Sequence, residues 1–410
     1  APCSAESPER APCGMPLDNS AGLSAVDRGE YVMTVCNACR YCEQYCPVFP
    51  AMEQRTIFAT GDLTYLANLC HNCGECLYAC QYAPPHEFGI NVPQTLAEIR
   101  VRSYEAYCWP AFLGVAFRHN SLSTALSLAA GFAVLLLGGV LATDAEGLWQ
   151  SSPAGDFYSV VPHDVMVALF GGVAIFVLLA FSVGLRRFWR EVGSGAAGTP
   201  ERPAIVTMRP DGRFGAAGPS PTAARQALGD LLTLRHLHTA GVDCTSGEET
   251  RSPWRRWFHH CTFYGFLLCF ASTSVAAVYD GVFGWRAPYG YTSLPVLLGT
   301  LGGLGLLIGP AGLLRLMRQR DPALGDAAQQ GLDESFVVLL LATSLTGIAL
   351  LVLRNQPAMG VLLIVHLGAV LALFLTLPYG KFVHGIYRTA ALLKYASERE
   401  PKARSPEPKA

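Results

Sequence analysis

Hydrophobic and polar positions are unevenly distributed along this chain. Up to about residue 108 they alternate in short runs broken by cysteine, proline and glycine. Beyond that the sequence settles into six apolar stretches, roughly Ser121–Ala142, Val165–Leu185, Cys261–Tyr279, Ser293–Leu314, Ser335–Leu353 and Ala358–Pro378. Each is near the ~20 residues a helix needs to cross a hydrocarbon core of ~30 Å. None contains Lys, Arg, Asp or Glu. One or two such stretches occur as buried helices of water-soluble proteins; six predict spanning helices.

The intervening segments complete the layout. Residues 1–30 are rich in Pro, Ser, Ala and Gly and lack periodicity, which predicts a disordered tail. Residues 31–108 form a cysteine-rich head, residues 119–395 a six-helix transmembrane bundle, and residues 396–410 a polar tail. A long loop at 186–257 is Gly- and Pro-rich to about Thr222, then carries a short helical run, Ala223–Leu237. The glycines from Gly302 to Gly309 lie inside a predicted span. They fit close helix packing better than a phosphate loop.

Composition agrees with this layout. Hydrophobic residues make up 51 % and charged residues 15 %, against about a quarter charged in soluble proteins. This disfavours a soluble enzyme, a nucleic-acid binder and a disordered hub. The net charge of −1 selects no partner, but the distribution of basic residues is informative. The N-terminal region, the 186–257 loop, the 315–332 loop and the C-terminal tail together hold 28 of the 30 Lys and Arg residues. The opposite side has only Arg286 and Arg354. Basic loops stay on the cytoplasmic side. The expectation is a multi-pass protein of the bacterial inner (cytoplasmic) membrane, in contact with lipid, with both termini cytoplasmic.

Eight of the 14 cysteines form two copies of one pattern, Cys36-x2-Cys39-x2-Cys42-x3-Cys46 and Cys70-x2-Cys73-x2-Cys76-x3-Cys80, offset by 34 residues. The first ten residues contain no apolar signal core, so metal ligation in a reducing compartment is expected rather than disulfides. Three thiolates within seven residues and a fourth four later suit a [4Fe–4S] cube. Structural zinc normally takes two CxxC pairs set farther apart. Three ligands are expected from one tight loop and the fourth from the start of a following helix. In two-cluster ferredoxins the fourth cysteine ligates the other cluster. The expected sets are Cys36, Cys39 and Cys42 with Cys80, and Cys70, Cys73 and Cys76 with Cys46. Pro47 follows the first run, whereas Gln81 follows the second.

Histidines in or beside spans are functional candidates. His259 and His260 open the third segment, His366 lies in the sixth, and His384 just beyond it. Three crossings separate the third and sixth segments, so the start of one and the end of the other share the cytoplasmic side. This predicts one b-type haem between His384 and a histidine of the third helix, His259 ahead of His260. His366 and His384 are 18 residues apart, five turns of one helix or about 27 Å. The third helix offers Cys269 at the deeper level, so His366 is expected to lack a histidine partner. His163, on the far side, reads as interfacial. His236, His238 and Cys244 read as polar loop positions or, less readily, as metal ligands.

Several segments resemble the tricarballylate/citrate-utilisation protein B family: Val35-Cys36-Asn37-Ala38-Cys39-Arg40-Tyr41-Cys42, Leu69-Cys70-His71-Asn72-Cys73-Gly74, Cys80 to Phe88, Tyr264 to Thr273, and Pro378-Tyr379-Gly380-Lys381-Phe382-Val383-His384-Gly385. The resemblance covers about residues 30–395. The membrane part is also similar to the gamma subunit of respiratory nitrate reductase, whose last helix carries two haem-ligating histidines matching His366 and His384. The resemblance implies a mostly α fold, with a two-[4Fe–4S] ferredoxin-like domain followed by six membrane helices. It also implies an electron-transfer role. A partner FAD-dependent tricarballylate dehydrogenase-like flavoprotein is reoxidised, and its electrons pass through the clusters and haem b to quinone. The chain itself has no recognisable flavin or substrate site. The competing expectation is a membrane-anchored iron–sulfur sensor without onward transfer.

The charge distribution gives a direct test of orientation. A reporter active only in the cytoplasm, fused after Ala410, is expected to be active. Activity only from a periplasmic reporter at that position would overturn the topology.

Overall fold

The computed structural model describes residues 24–117, 120–147, 157–194, 206–208, 214–216, 219–239, 242–243 and 253–400, and these are mostly helical. The head is built from α1 (Ala25–Cys39), α2 (Val48–Met52), α3 (Thr60–Leu69), α4 (Glu75–Tyr78) and α5 (Val92–Tyr107). The Ser24 hydroxyl and the Asp27 carboxylate cap the start of α1 reciprocally, satisfying N–H groups that a helix start leaves unpaired. Helix therefore begins at Ala25, inside the segment expected to be disordered. Left-handed Arg40 ends α1. Asn91 accepts from the Gln94 N–H to start α5, and Pro93 sits in its first turn.

A short helix α6 (Ala111–Ala116) precedes α7 (Asn120–Gly147) and α8 (His163–Ser194). The long loop contains two small antiparallel ladders, β1 (Val206–Met208) with β2 (Phe214–Ala216) and β3 (His238–Thr239) with β4 (Val242–Asp243). Between them lie α9 (Pro221–Leu232) and a 3-10 turn, Arg235–Leu237, where the sequence predicts a short helix. Then follow α10 (Trp254–Phe283), α11 (Leu294–Arg318), α12 (Ala327–Leu353), α13 (Met359–Thr376) and α14 (Val383–Arg399). Among the described residues five helices are long and apolar enough to cross a membrane: α8, α10, α11, α12 and α13. The first predicted span coincides with α7, which is apolar over its described stretch Ser123–Gly138.

The sixth predicted segment does not continue as one helix to His384. Helix α13 ends at Thr376, whose carbonyl accepts from the Tyr379 and Gly380 N–H groups. Proline lacks an N–H and clashes with the preceding turn, so Pro378 enforces the stop. His366 and His384 therefore stand on two helices, and the five-turn spacing expected between them does not apply.

Head and membrane helices share one core. Met33, Phe49, Leu63, Leu66 and Leu96 of the head pack in the same buried cluster as Phe188 of α8 and Tyr387, Ala391 and Tyr395 of α14. A buried ion network closes the junction. Arg55 bonds Asp62 at 2.6 Å and Glu398 of α14 at 2.7 Å, and Tyr65 also donates to Glu398 at 3.1 Å.

Helices α10 and α11 approach backbone to backbone along Gly265, Gly302, Gly305 and Gly309. A Cβ on Gly302 would lie 2.7 Å from the Cys269 backbone nitrogen and 2.8 Å from the Gly265 carbonyl oxygen. Small residues permit such contact between membrane helices, which accounts for the glycine run. Gly302→Val is expected to lower stability by about 1–3 kcal/mol through overpacking, visible as a lower thermal midpoint in detergent. Gly281→Ala, with open space around it, is expected to keep that midpoint.

Candidate functional site

Each cysteine run begins at the end of a helix, the first in α1 and the second at Cys70, the C-terminal cap of α3. Cys36 and Cys39 lie in the last turn of α1, and Cys46 immediately precedes the helix begun at Pro47. In the second run Cys70 and Cys73 are on an open loop, Cys76 is in α4, and Cys80 follows that helix. The first run thus supplies two ligand candidates from a helix rather than three from a loop. Cys80 comes after a helix instead of at the start of one. Gly74, at φ 92°, makes the turn from loop into α4, in the left-handed region that suits glycine.

In space the thiols group across the runs. Burial first, then neighbouring Cys80, Cys42 and Cys39, pushes the Cys36 thiol above its ordinary range. Cys42 is pushed up to about 12 by burial, then by Cys80 and Cys39. Gln81, where the first run has proline, donates to the Cys39 sulfur at 3.8 Å. Cys46 is raised by burial and then Cys70, against which the Val48 and Phe49 N–H groups act. Cys76 is raised by burial, then by Cys46 and Cys70. A small cavity is lined by Cys46, Cys70, Cys73 and Cys76 together. Thiolates this crowded repel one another, and a bound cationic metal centre reverses that penalty. Among the described residues no three His, Cys, Asp or Glu side chains converge as ligands of a single ion. A cube, which holds its thiolates on separate corners, requires no such convergence.

Four arginines hold the segment that carries Cys70 and Cys73. Arg100 donates to the Ala67 carbonyl at 2.7 Å. Arg388 of α14 donates to the Asn68 and Cys70 carbonyls. Arg255 of α10 donates to the His71 and Asn72 carbonyls at 3.0 and 3.1 Å. Arg320, just past α11, donates to Asn72 at 3.2 Å. These carbonyls belong to the end of α3 and the residues beyond it, where a helix leaves acceptors unpaired and favours cations. Burial, then the neighbouring positive charge of Arg255, lowers Arg320 to about 10. Arg388 is lowered to about 10 by burial and then Arg100.

Beside this loop the rings of His259 and His384 face each other, with centroids 6.3 Å apart and planes at 79°. His384 Nδ1 lies 2.6 Å from the Lys381 carbonyl oxygen. With Nδ1–H donating there, Nε2 keeps its lone pair for a ligand, as metal-binding histidines require. Burial, then Lys381 and Arg388, holds His384 well below the usual imidazole range, and therefore neutral. Two imidazole nitrogens each roughly 2 Å from one metal would place ring centres about 6 Å apart. The pair fits an iron held from both sides. His259 and His384 line a cavity of about 1090 Å³ with Phe263, Phe266, Leu313 and Phe336 among its apolar walls. His71 and Asn72 line both this cavity and the one around the four thiols.

The other histidines are engaged elsewhere. His260 Nε2 accepts from Arg256 at 3.3 Å, and its ring stacks on Tyr264. His366 is paired with the Thr346 hydroxyl at 3.2 Å and packs over Gly347. His163 meets Asp280 at 2.6 Å. His236 is paired with Asp230 at 3.3 Å. The His238 backbone pairs with Asp243, while its side chain and Cys244 lie outside the described residues. In the sequence the four arginines count only toward the basic side of the membrane, with no sign of the loop they hold. The only signal was that Arg388 follows His384 by four residues, on the same helical face.

The architecture is that of a membrane protein with a ferredoxin-like, cysteine-rich domain packed at one end of its apolar helices. The chain belongs to the citrate utilization protein B family. Its family model matches residues 118–406, and the Fer4-like domain of citrate utilization protein B matches residues 29–106. The chain is 48 % identical over 372 residues, 90 % of its length, to citrate utilization protein B of Escherichia coli, of which it covers 92 %. No solved structure matches it. The Fer4-like domain supports iron–sulfur binding and an electron-transfer role.

Proposed function

We propose that this protein reoxidises the reduced FAD of a partner tricarballylate- or citrate-type dehydrogenase and passes the electrons through two [4Fe–4S] clusters and one b-type haem to quinone. It would do so from the bacterial inner membrane, with six spans, α7 included, and both termini cytoplasmic. The observation that carries this reading is the shared wall. His71 and Asn72, between two cysteines of one run, border both the four-thiol cavity and the cavity of His259 and His384. A sensor or anchor has no need of two redox sites separated by one turn of chain.

In this reading Cys36, Cys39, Cys42 and Cys80 hold one cluster, and Cys46, Cys70, Cys73 and Cys76 the other. His259 and His384 are the haem ligands. A haem held by two neutral imidazoles supplies a one-electron couple. Lys381 fixes the His384 tautomer through its carbonyl, and the four arginines keep the Cys70–Asn72 loop against the histidine cavity. The set containing Cys36, Cys39 and Cys42 lies beside exposed Tyr41, which suits it to receive electrons from a docked flavoprotein.

Cys80→Ser is expected to alter or abolish the EPR signal of the cluster built on Cys36, Cys39 and Cys42 while the second signal persists. Loss confined to the other cluster would overturn the crossed assignment. His384→Ala and His259→Ala are expected to keep both clusters and lose the low-spin haem spectrum. His260→Ala and His366→Ala are expected to retain it. Haem that survives His384→Ala but disappears with His366→Ala would move the site to the deeper level.

A further inference from the structure

The histidine cavity, about 1090 Å³ in volume, extends well beyond its two facing imidazoles, as far as α8 and α9. One wall has no role in the reading above. It is formed by the cytoplasmic end of α8 (Leu185, Trp189), by α9 (Asp230, Leu231) and by the 3-10 turn carrying His236.

Three features of that wall belong together. Leu185, Trp189 and Leu267 line the cavity and are at the same time 37–39 % exposed on α8 and α10. The cavity therefore opens between α8 and α10 at their cytoplasmic ends, where Arg186 and Arg190 also line it and the lipid surface begins. Tyr264 of α10 donates to the Leu232 carbonyl at 2.6 Å and pins α9 beside the opening. Behind it, Asp230 is 7 % exposed, with His236 Nε2 at 3.3 Å and Arg235 at 3.4 Å. A carboxylate–imidazole pair is a proton-transfer arrangement, and here it lies in a cavity whose other walls combine apolar side chains with Arg186, Arg190, Arg320 and Arg388.

We propose that this wall is the quinone-reduction site. The quinone ring enters from lipid between α8 and α10 and lies against Leu231 and Trp189, with one carbonyl at His236. The ligand class follows from the chemistry. The occupant must be apolar enough to arrive through lipid, must accept electrons at the cavity of His259 and His384, and must take up protons. A quinone meets all three. Quinone plus two electrons, delivered one at a time from the partner's reduced flavin, plus two protons gives quinol. The carbonyl C=O bonds become C–OH, and the flavin is left oxidised. With Nε2 held by Asp230, His236 takes up a proton from cytoplasmic water, donates it from Nδ1 to the carbonyl it contacts and is left neutral, while Asp230 orients the ring and stabilises its protonated form. The second proton reaches the other oxygen from cytoplasmic water.

This proposal rests on the electron-transfer reading, and the experiment separates the two. Full-length protein in nanodiscs, with clusters and haem present, is reduced with dithionite and mixed with a short-chain ubiquinone analogue while the haem spectrum is followed. Wild-type protein is expected to be reoxidised rapidly. His236→Gln and Leu231→Trp, one removing the donor and the other filling the pocket, are expected to slow reoxidation at least ten-fold. Haem content, cluster EPR and reduction by dithionite should stay unchanged. An azido-quinone is expected to label peptides from 185–190 or 228–237, and excess quinone to displace it. Wild-type rates in both variants, labelling confined to other segments, or labelling that quinone fails to displace (as with a fixed lipid) would overturn the site. Wild-type protein that no quinone reoxidises would overturn quinone as the acceptor, and with it the broader reading.

Discussion

Four arginine side chains donating to the carbonyls that follow one short helix are the constraint on which the rest depends. Helix α3 ends in the head, and its last carbonyls, with those of Cys70, His71 and Asn72, point into the protein rather than into water. Unpaired buried carbonyls are costly. Here they are satisfied by guanidiniums from α5, α10, α14 and the segment after α11. The arginines come from elements more than 180 residues away, Arg100 excepted. Their burial is tolerable because each has several acceptors, and a buried cation without them would be strongly unfavourable. One set of bonds thereby closes the helix end, fixes two cysteines and holds the thiol-bearing loop against the histidine cavity.

What the sequence disclosed was whatever is written in local spacing. Six charge-free stretches mark the helices of the bundle because a charge in hydrocarbon is expensive. Among the described residues five of these stretches lie in helices long and apolar enough to cross a membrane, and the first lies in α7. The 34-residue repeat of cysteines marks the head, over which the Fer4-like domain matches. Antiparallel crossing alone puts His259 and His384 at one depth. Adjacent residues on a helix point about 100° apart, and packing turns His259 inward while Arg256 and Tyr264 take up His260.

What stayed hidden depends on contacts between distant segments. Pro378 and Gly380 were visible, but an apolar run reading through to Pro378 concealed that the helix stops at Thr376. The arginines read as votes for membrane orientation, since a basic residue near a span looks the same whether it faces water or a buried carbonyl. His236 looked like an ordinary loop residue because nothing in the segment around it reveals a cavity formed with α8 and α10. The division between head and membrane part also reads more sharply in composition than it is in space, where both contribute to one core.

The last helix gives the molecule an order of assembly. Residues 383–399 carry His384, bring Arg388 to the cysteine loop and set Glu398 against Arg55 and Tyr65 of the head. The head is synthesised first but receives these contacts last, after every spanning helix has left the ribosome. Until then its thiol loop lacks its clamps and the histidine cavity lacks one of its two rings. On the proposed electron-transfer reading, the redox centres are therefore completed only after α14 has been made, so a chain interrupted before it has no finished route along which electrons could escape.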